Sequence, residues 1–151
     1  MTTASNPLIA AFPEAGKLAY GSLEDAFPNV PPGLRPFGDK VLVQIRSAMT
    51  RTKGGLYVPE ETRDTELWNT QVAKVISVGP VAFKNRDTLK PWPEGDWVKP
   101  GMYVRCPKYG GDRWEVPVPN SPDPALFVLF RDIDLVGEIE GDPLEMVAFL
   151  K

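Results

Sequence analysis

Histidine is missing altogether from this 151-residue chain, and cysteine occurs once. Without imidazole there is no Ser-His or Cys-His pair, no His-bearing metal site and no unperturbed side chain that titrates near neutral pH. The lone Cys106 rules out an intramolecular disulfide and a zinc site built on paired cysteines. With Met102 and Val104 it falls on one strand face, as a small and inert core residue. No glycine-rich segment ends in Gly-Lys-Ser or Gly-Lys-Thr, the pattern that cradles phosphates. Paired acids occur at Glu60-Glu61 and at Asp132 and Asp134, but in a charged run and at a turn they read as solvated surface. The chain is therefore expected to be no enzyme and to need no cofactor or metal.

A cationic surplus is missing too. The net charge of −3 argues against a phosphate-binding face. Aromatic and basic residues do interleave between Phe83 and Trp97, yet acids balance them, which favours a packed surface hairpin over a nucleic-acid platform. No run approaches the roughly 20 apolar residues that cross a bilayer, and the start lacks a cationic stretch followed by an apolar core. Neither nucleic acid nor membrane is an expected partner, and the expected location is the cytoplasm.

What is abundant is punctuation. Seventeen prolines and thirteen glycines divide runs rich in Val, Ile, Tyr, Phe and Trp, and 42% of the chain is hydrophobic. That balance suits one compact core in an all-β domain of short strands and many turns. Residues 1–34 differ from the rest: prolines at 7, 13, 28, 31 and 32 separate brief apolar clusters, giving an extended arm. Asn6-Pro7 opens one helical turn, and Ser22-Leu23-Glu24-Asp25 resembles a capping box. Phe12, Tyr20 and Phe27 imply that the arm packs on this subunit or a neighbour, the alternative being a loose terminus.

From Arg35 the texture changes. Lys40 to Ile45 alternates, placing Val41, Val43 and Ile45 on one face of a first strand. Gln71 to Val78 is a second, ended by Gly79-Pro80. Residues 80–97 form a long excursion with room for a small hairpin. Met102 to Cys106 is a strand, and Trp114, Val116 and Val118 mark an edge strand, since Pro117 cannot donate to a ladder. Ala125 to Phe130 fits a strand covered on both sides, and Leu135 to Ile139 closes the domain. Beyond Gly141, Asp142 as N-cap, Pro143 and Glu145 suggest a short terminal helix.

Residues 47–70 read as a loop organised around Lys53-Gly54-Gly55-Leu56-Tyr57-Val58-Pro59. Two glycines free the backbone and Pro59 bars an interior strand. The apolar triplet alone would suit a short buried strand. Its flank, Glu60 to Glu66, is densely charged and reads as solvated loop, so Leu56, Tyr57 and Val58 become an apolar tip that needs a partner.

The order of these signals is similar to that of the GroES-type co-chaperonin family. The likeness covers residues 35–140: Arg-Pro-Phe-Gly-Asp-Lys-Val-Leu-Val, Lys-Gly-Gly followed by three hydrophobics and Pro, Val-Ile-Ser-Val-Gly-Pro, Val-Lys-Pro-Gly, Lys-Tyr-Gly-Gly, and Phe-Arg-Asp-Ile-Asp-Leu-Val. The resemblance implies an irregular β-barrel assembled as a sevenfold ring that caps a large chaperonin, which binds the ATP, and assists protein folding. It also implies that Gly54, Gly55, Leu56, Tyr57, Val58 and Pro59 form the mobile docking loop. Residues 80–97 become the roof-like excursion. Ring interfaces fall on the first and last strands, at Val41, Val43 and Ile45 and at Leu135, Val136 and Ile139.

Three features depart from the pattern. Tyr57 stands where an aliphatic residue is usual, residues 117–125 look inserted, and the arm and the tail of residues 141–151 lie outside the likeness. They suggest a divergent, phage-encoded member. The rival expectation is a structural or decoration protein of a virion, whose arm and loop clasp neighbouring subunits or a capsid protein.

Overall fold

The computed structural model describes residues 20–48 and 57–147. Phe12, Gly54, Gly55 and Leu56, and the helical turn expected at Asn6-Pro7, lie outside them.

Six strands form one antiparallel sheet: β1 (Lys40–Ile45), β2 (Val72–Val78), β3 (Tyr103–Arg105), β4 (Asp112–Val116), β5 (Ala125–Arg131) and β6 (Gly137–Glu138). Their order across the sheet is β4-β5-β1-β2-β3-β6. Two helices, α1 (Leu23–Ala26) and α2 (Glu60–Asn69), accompany them. Strand β1 lies at the centre, with Val43 opposite Val128 of β5 on one side and Val75 of β2 on the other. It is buried almost throughout because its two faces enter different cores. Val41, Val43 and Ile45 join Val75, Val104, Cys106, Val128 and Phe130, whereas Leu42 packs with Ala125 and Phe127.

The expected barrel is not formed: the sheet stays open, with β4 and β6 at its two ends. Closure requires a continuous ladder between the end strands. Here β6 has only two residues and spends its pairing on β3. On the far side β4 stops at Val116, before Pro117. The edge position expected for the Trp114 strand is the one observed.

The described part of the arm is stitched to the sheet. Gln44 Nε2 donates to the Pro28 carbonyl, Trp114 Nε1 to the Pro32 carbonyl and the Ser47 amide to the Ala26 carbonyl, each at 2.8 Å. Ser22 caps α1 by accepting from the Asp25 amide at 3.2 Å. Phe27 is buried against Tyr103, with ring centroids 5.2 Å apart.

Residues 80–97 turn back on themselves through one bridge between Lys84 and Pro91. Asn85 Oδ1 accepts from the Asp87 and Thr88 amides there, an arrangement typical of turn-forming Asn. The excursion is pinned by Phe83, Trp92 and Trp97, whose ring centroids lie 4.9–6.0 Å apart. Phe83 holds a φ of 61°, costly for a bulky side chain, and its amide donates to the buried Asp132 carboxylate at 2.9 Å. Asp132 is thus a buried structural acceptor and not the solvated surface group expected, while Asp134 is exposed. Only glycine fits at position 79, just after β2, because a Cβ there would collide with the Gly38 and Lys40 carbonyl oxygens.

Two further expectations are corrected. The charged run after Pro59 is helix α2: Glu60, Glu61, Arg63, Glu66 and Leu67 are good helix formers, and Glu60 and Glu61 sit in the favourable first turn. The tail after Gly141 makes a turn at residues 143–145 and no helix within the described residues. Asp142 does cap this turn, accepting from the Leu144 amide at 2.9 Å. Its packing residues are Leu144 and Met146, which join Val72, Ile139 and Phe27.

Candidate functional site

The C-terminal end of the loop is where its geometry can be read. Tyr57 is 58% exposed, whereas its neighbour Val58 is only 6% exposed and packs into its own subunit. Pro59 is exposed and precedes α2. The tip expected to be wholly outward therefore divides here into an outward phenol and an inward valine.

Arg63, one turn into α2, explains the division. Its side chain is 3% exposed, and Nη1 donates to the Val58 carbonyl. The guanidinium lies 5.0 Å from the centroid of the Tyr57 ring, a cation–π distance. Nε and Nη2 make a forked pair with Asp123, at 2.7 and 3.2 Å. Hydrogen bonding to that carboxylate holds the guanidinium pKa further above its ordinary value. Sequence reasoning missed Arg63 and Asp123. The available signal was Pro59 followed by two acids, a helix-start pattern that would have placed Arg63 and Leu67 on one face, where both are buried.

A second cluster joins the arm, the loop's other end and the tail. Arg46 directly follows β1, is almost fully buried and donates to the carbonyls of Pro143 and Met146 at 2.8 and 2.7 Å. It also lies 5.3 Å from the centroid of the Tyr20 ring. The Tyr20 hydroxyl donates to the Ser47 carbonyl. Burial raises the Tyr20 pKa, opposed by Arg46, and burial likewise raises that of the Glu66 carboxyl nearby. Of the arm residues singled out in the sequence, Tyr20 and Phe27 thus pack on their own subunit.

The residues expected at ring interfaces separate into two groups. Val41, Val43, Ile45, Leu135 and Ile139 are buried inside the subunit, while Val136 is 65% exposed beside β6. Among the described residues no group of His, Cys, Asp and Glu is placed to hold a metal ion, and no helix is long and apolar enough to cross a membrane.

Residues 33–139 match the family described as the chaperonin 10 Kd subunit, and the chain belongs to that family, whose members are non-catalytic co-chaperonins. It is 35% identical over 103 residues to a mitochondrial 10 kDa heat shock protein of Oryzias latipes, an alignment covering 68% of this chain and 90% of that protein. It is 31% identical over 112 residues to the co-chaperonin GroES of Methylacidiphilum infernorum, covering 74% of this chain and 99% of the relative. A mitochondrial 10 kDa heat shock protein of Saccharomyces cerevisiae is 35% identical over 107 residues, covering 71% and 89%. Membership supports a general role in assisting a chaperone. These relatives are bacterial and mitochondrial by name, and they lend the phage and virion expectations no support.

Proposed function

We propose that this chain assembles as a sevenfold ring that caps a large chaperonin and assists ATP-dependent protein folding, with the nucleotide bound by the partner. The docking element is the loop of residues 47–59, with Gly54, Gly55, Leu56, Tyr57, Val58 and Pro59 at its tip. Residues 35–140 form the ring-building unit, residues 1–34 an arm and residues 141–151 a tail. The cytoplasm is its place of action. Family membership together with the outward Tyr57 carries this reading.

Magnitudes favour a multivalent design. Burying three such side chains from an exposed state yields roughly 5–9 kcal/mol, and less here because Val58 is already buried in its own subunit. Ordering five loop residues at about 1–2 kcal/mol each nearly cancels that gain. A single loop is then weak and releasable, and several loops on one ring convert later contacts into intramolecular ones. Of the expected interface residues, Val136 is the one whose side chain is open to a neighbour in this conformation. The buried members support the strands that would present it.

The test is a pull-down and ATPase assay with a purified bacterial large chaperonin, comparing the native chain with Tyr57→Asp. Nucleotide-dependent binding that falls at least about tenfold in the variant is expected, since a carboxylate cannot occupy an apolar pocket unpaired. Absence of binding by the native chain at micromolar concentrations would overturn the reading.

A further inference from the structure

Arg63 ties together three parts of the chain. Its fork grips Asp123 in the segment between β4 and β5, Nη1 reaches the Val58 carbonyl, and its guanidinium face underlies Tyr57. Asp123 is itself held in place: its amide donates to Ser121 Oγ at 3.2 Å, and Ser121 Oγ donates to its carbonyl at 3.1 Å. Forked Arg–carboxylate pairs are charge-assisted and fixed in direction. This one is 3% exposed on the arginine side and 16% on the aspartate side, so salt screens it far less than a surface pair.

A pair serving only to fasten α2 to the sheet would have no reason to contact two consecutive loop residues. The contact made here is with the backbone of Val58, so that residue cannot leave its pocket while the guanidinium keeps its bond. The Tyr57 ring rests against the same cation.

We propose that Arg63 and Asp123 form a latch that holds the Tyr57–Val58 end of the loop against its own subunit, and that the latch opens before a partner is engaged. The proposal rests on the docking reading above and adds a control to it. Only the unlatched fraction can offer both side chains, so the apparent affinity is the intrinsic one reduced by that fraction. Residues 117–125, which read as an insertion from the sequence, supply Asp123 to this latch.

Asp123→Asn keeps size and shape but removes the charge, and Arg63→Lys keeps the charge but removes the fork. Hydrogen exchange of the full chain is followed by mass spectrometry, alongside association with the purified bacterial chaperonin. In Asp123→Asn, amides of residues 57–63 are expected to exchange at least about tenfold faster, while those of Val43 and Ile45 keep their rates, which separates local opening from global destabilisation. Association is expected to tighten by roughly three- to tenfold, with Arg63→Lys moving the same way. Unchanged exchange at residues 57–63 in both variants overturns the latch. Faster exchange with weaker association also overturns it, showing that the pair pre-shapes the loop instead of withholding it. Faster exchange in a protein that binds no chaperonin in any form upholds the holding contact and overturns the docking reading.

Discussion

Cys106 shows how burial alone settles a side chain's chemistry. The thiol is fully enclosed in the main core, and desolvation pushes its pKa from 9.0 up to about 12. The thiolate is the reactive species, and at pH 8 it is then roughly one part in ten thousand of the folded protein. Native Cys106 is expected to react with iodoacetamide at least about a thousandfold more slowly than in denaturant. The sign of the pH effect follows from linkage. The folded state keeps its proton where the unfolded state releases it, so the contribution to stability is complete below pH 9 and is lost as pH rises towards 12. Denaturant midpoints measured from pH 8 to 11 should fall less steeply in Cys106→Ala than in the native protein; equal slopes would reject the assignment.

Among the larger elements, the arm, α2 and the tail depend on one another, since none has a core of its own. Helix α2 buries only Arg63 and Leu67, and α1 only Ala26. Arg46 is the common fastening, reaching the Tyr20 ring and two tail carbonyls. Arg46→Met preserves the buried stem but leaves those carbonyls and Glu66 without their cation. The expected cost is about 2–4 kcal/mol by urea denaturation, with earlier proteolysis in the tail than in the sheet. A loss below about 0.5 kcal/mol would show that the tail is held by Leu144 and Met146 alone.

For the molecule as a whole, an open sheet has a consequence that a closed barrel lacks: its end strands keep backbone groups available for pairing. Beside the β6 end, Val136 is the exposed apolar residue between the buried Leu135 and Ile139. A charge there meets solvent within one subunit and an apolar surface in a ring. Val136→Asp is therefore expected to change the stability of the isolated subunit by no more than about 0.5 kcal/mol. Under the proposed ring assembly, native mass measurement should show a sevenfold species for the native chain and smaller ones for the variant. An unaltered ring would move the interface elsewhere.

Several elements were legible directly from residue order. The strands at residues 40–45 and 72–78 announce themselves because burial against a core demands apolar side chains at set intervals, the strand from residue 125 to 130 by its unbroken apolar run, and Gly79 and Pro117 mark where a backbone must stop or turn. The family, too, was readable from the succession of short motifs. Helix α2 was not, since its inner face consists of one arginine and one leucine among charges, a pattern that periodicity cannot separate from solvated loop. Nor were barrel closure, the division of Tyr57 from Val58, or the meeting of Arg63 with Asp123 sixty positions away. Apolar spacing is a local property that each segment carries alone. Pairing between distant charges, and whether two end strands meet, depend on how the whole chain packs, and the folded structure alone decides them.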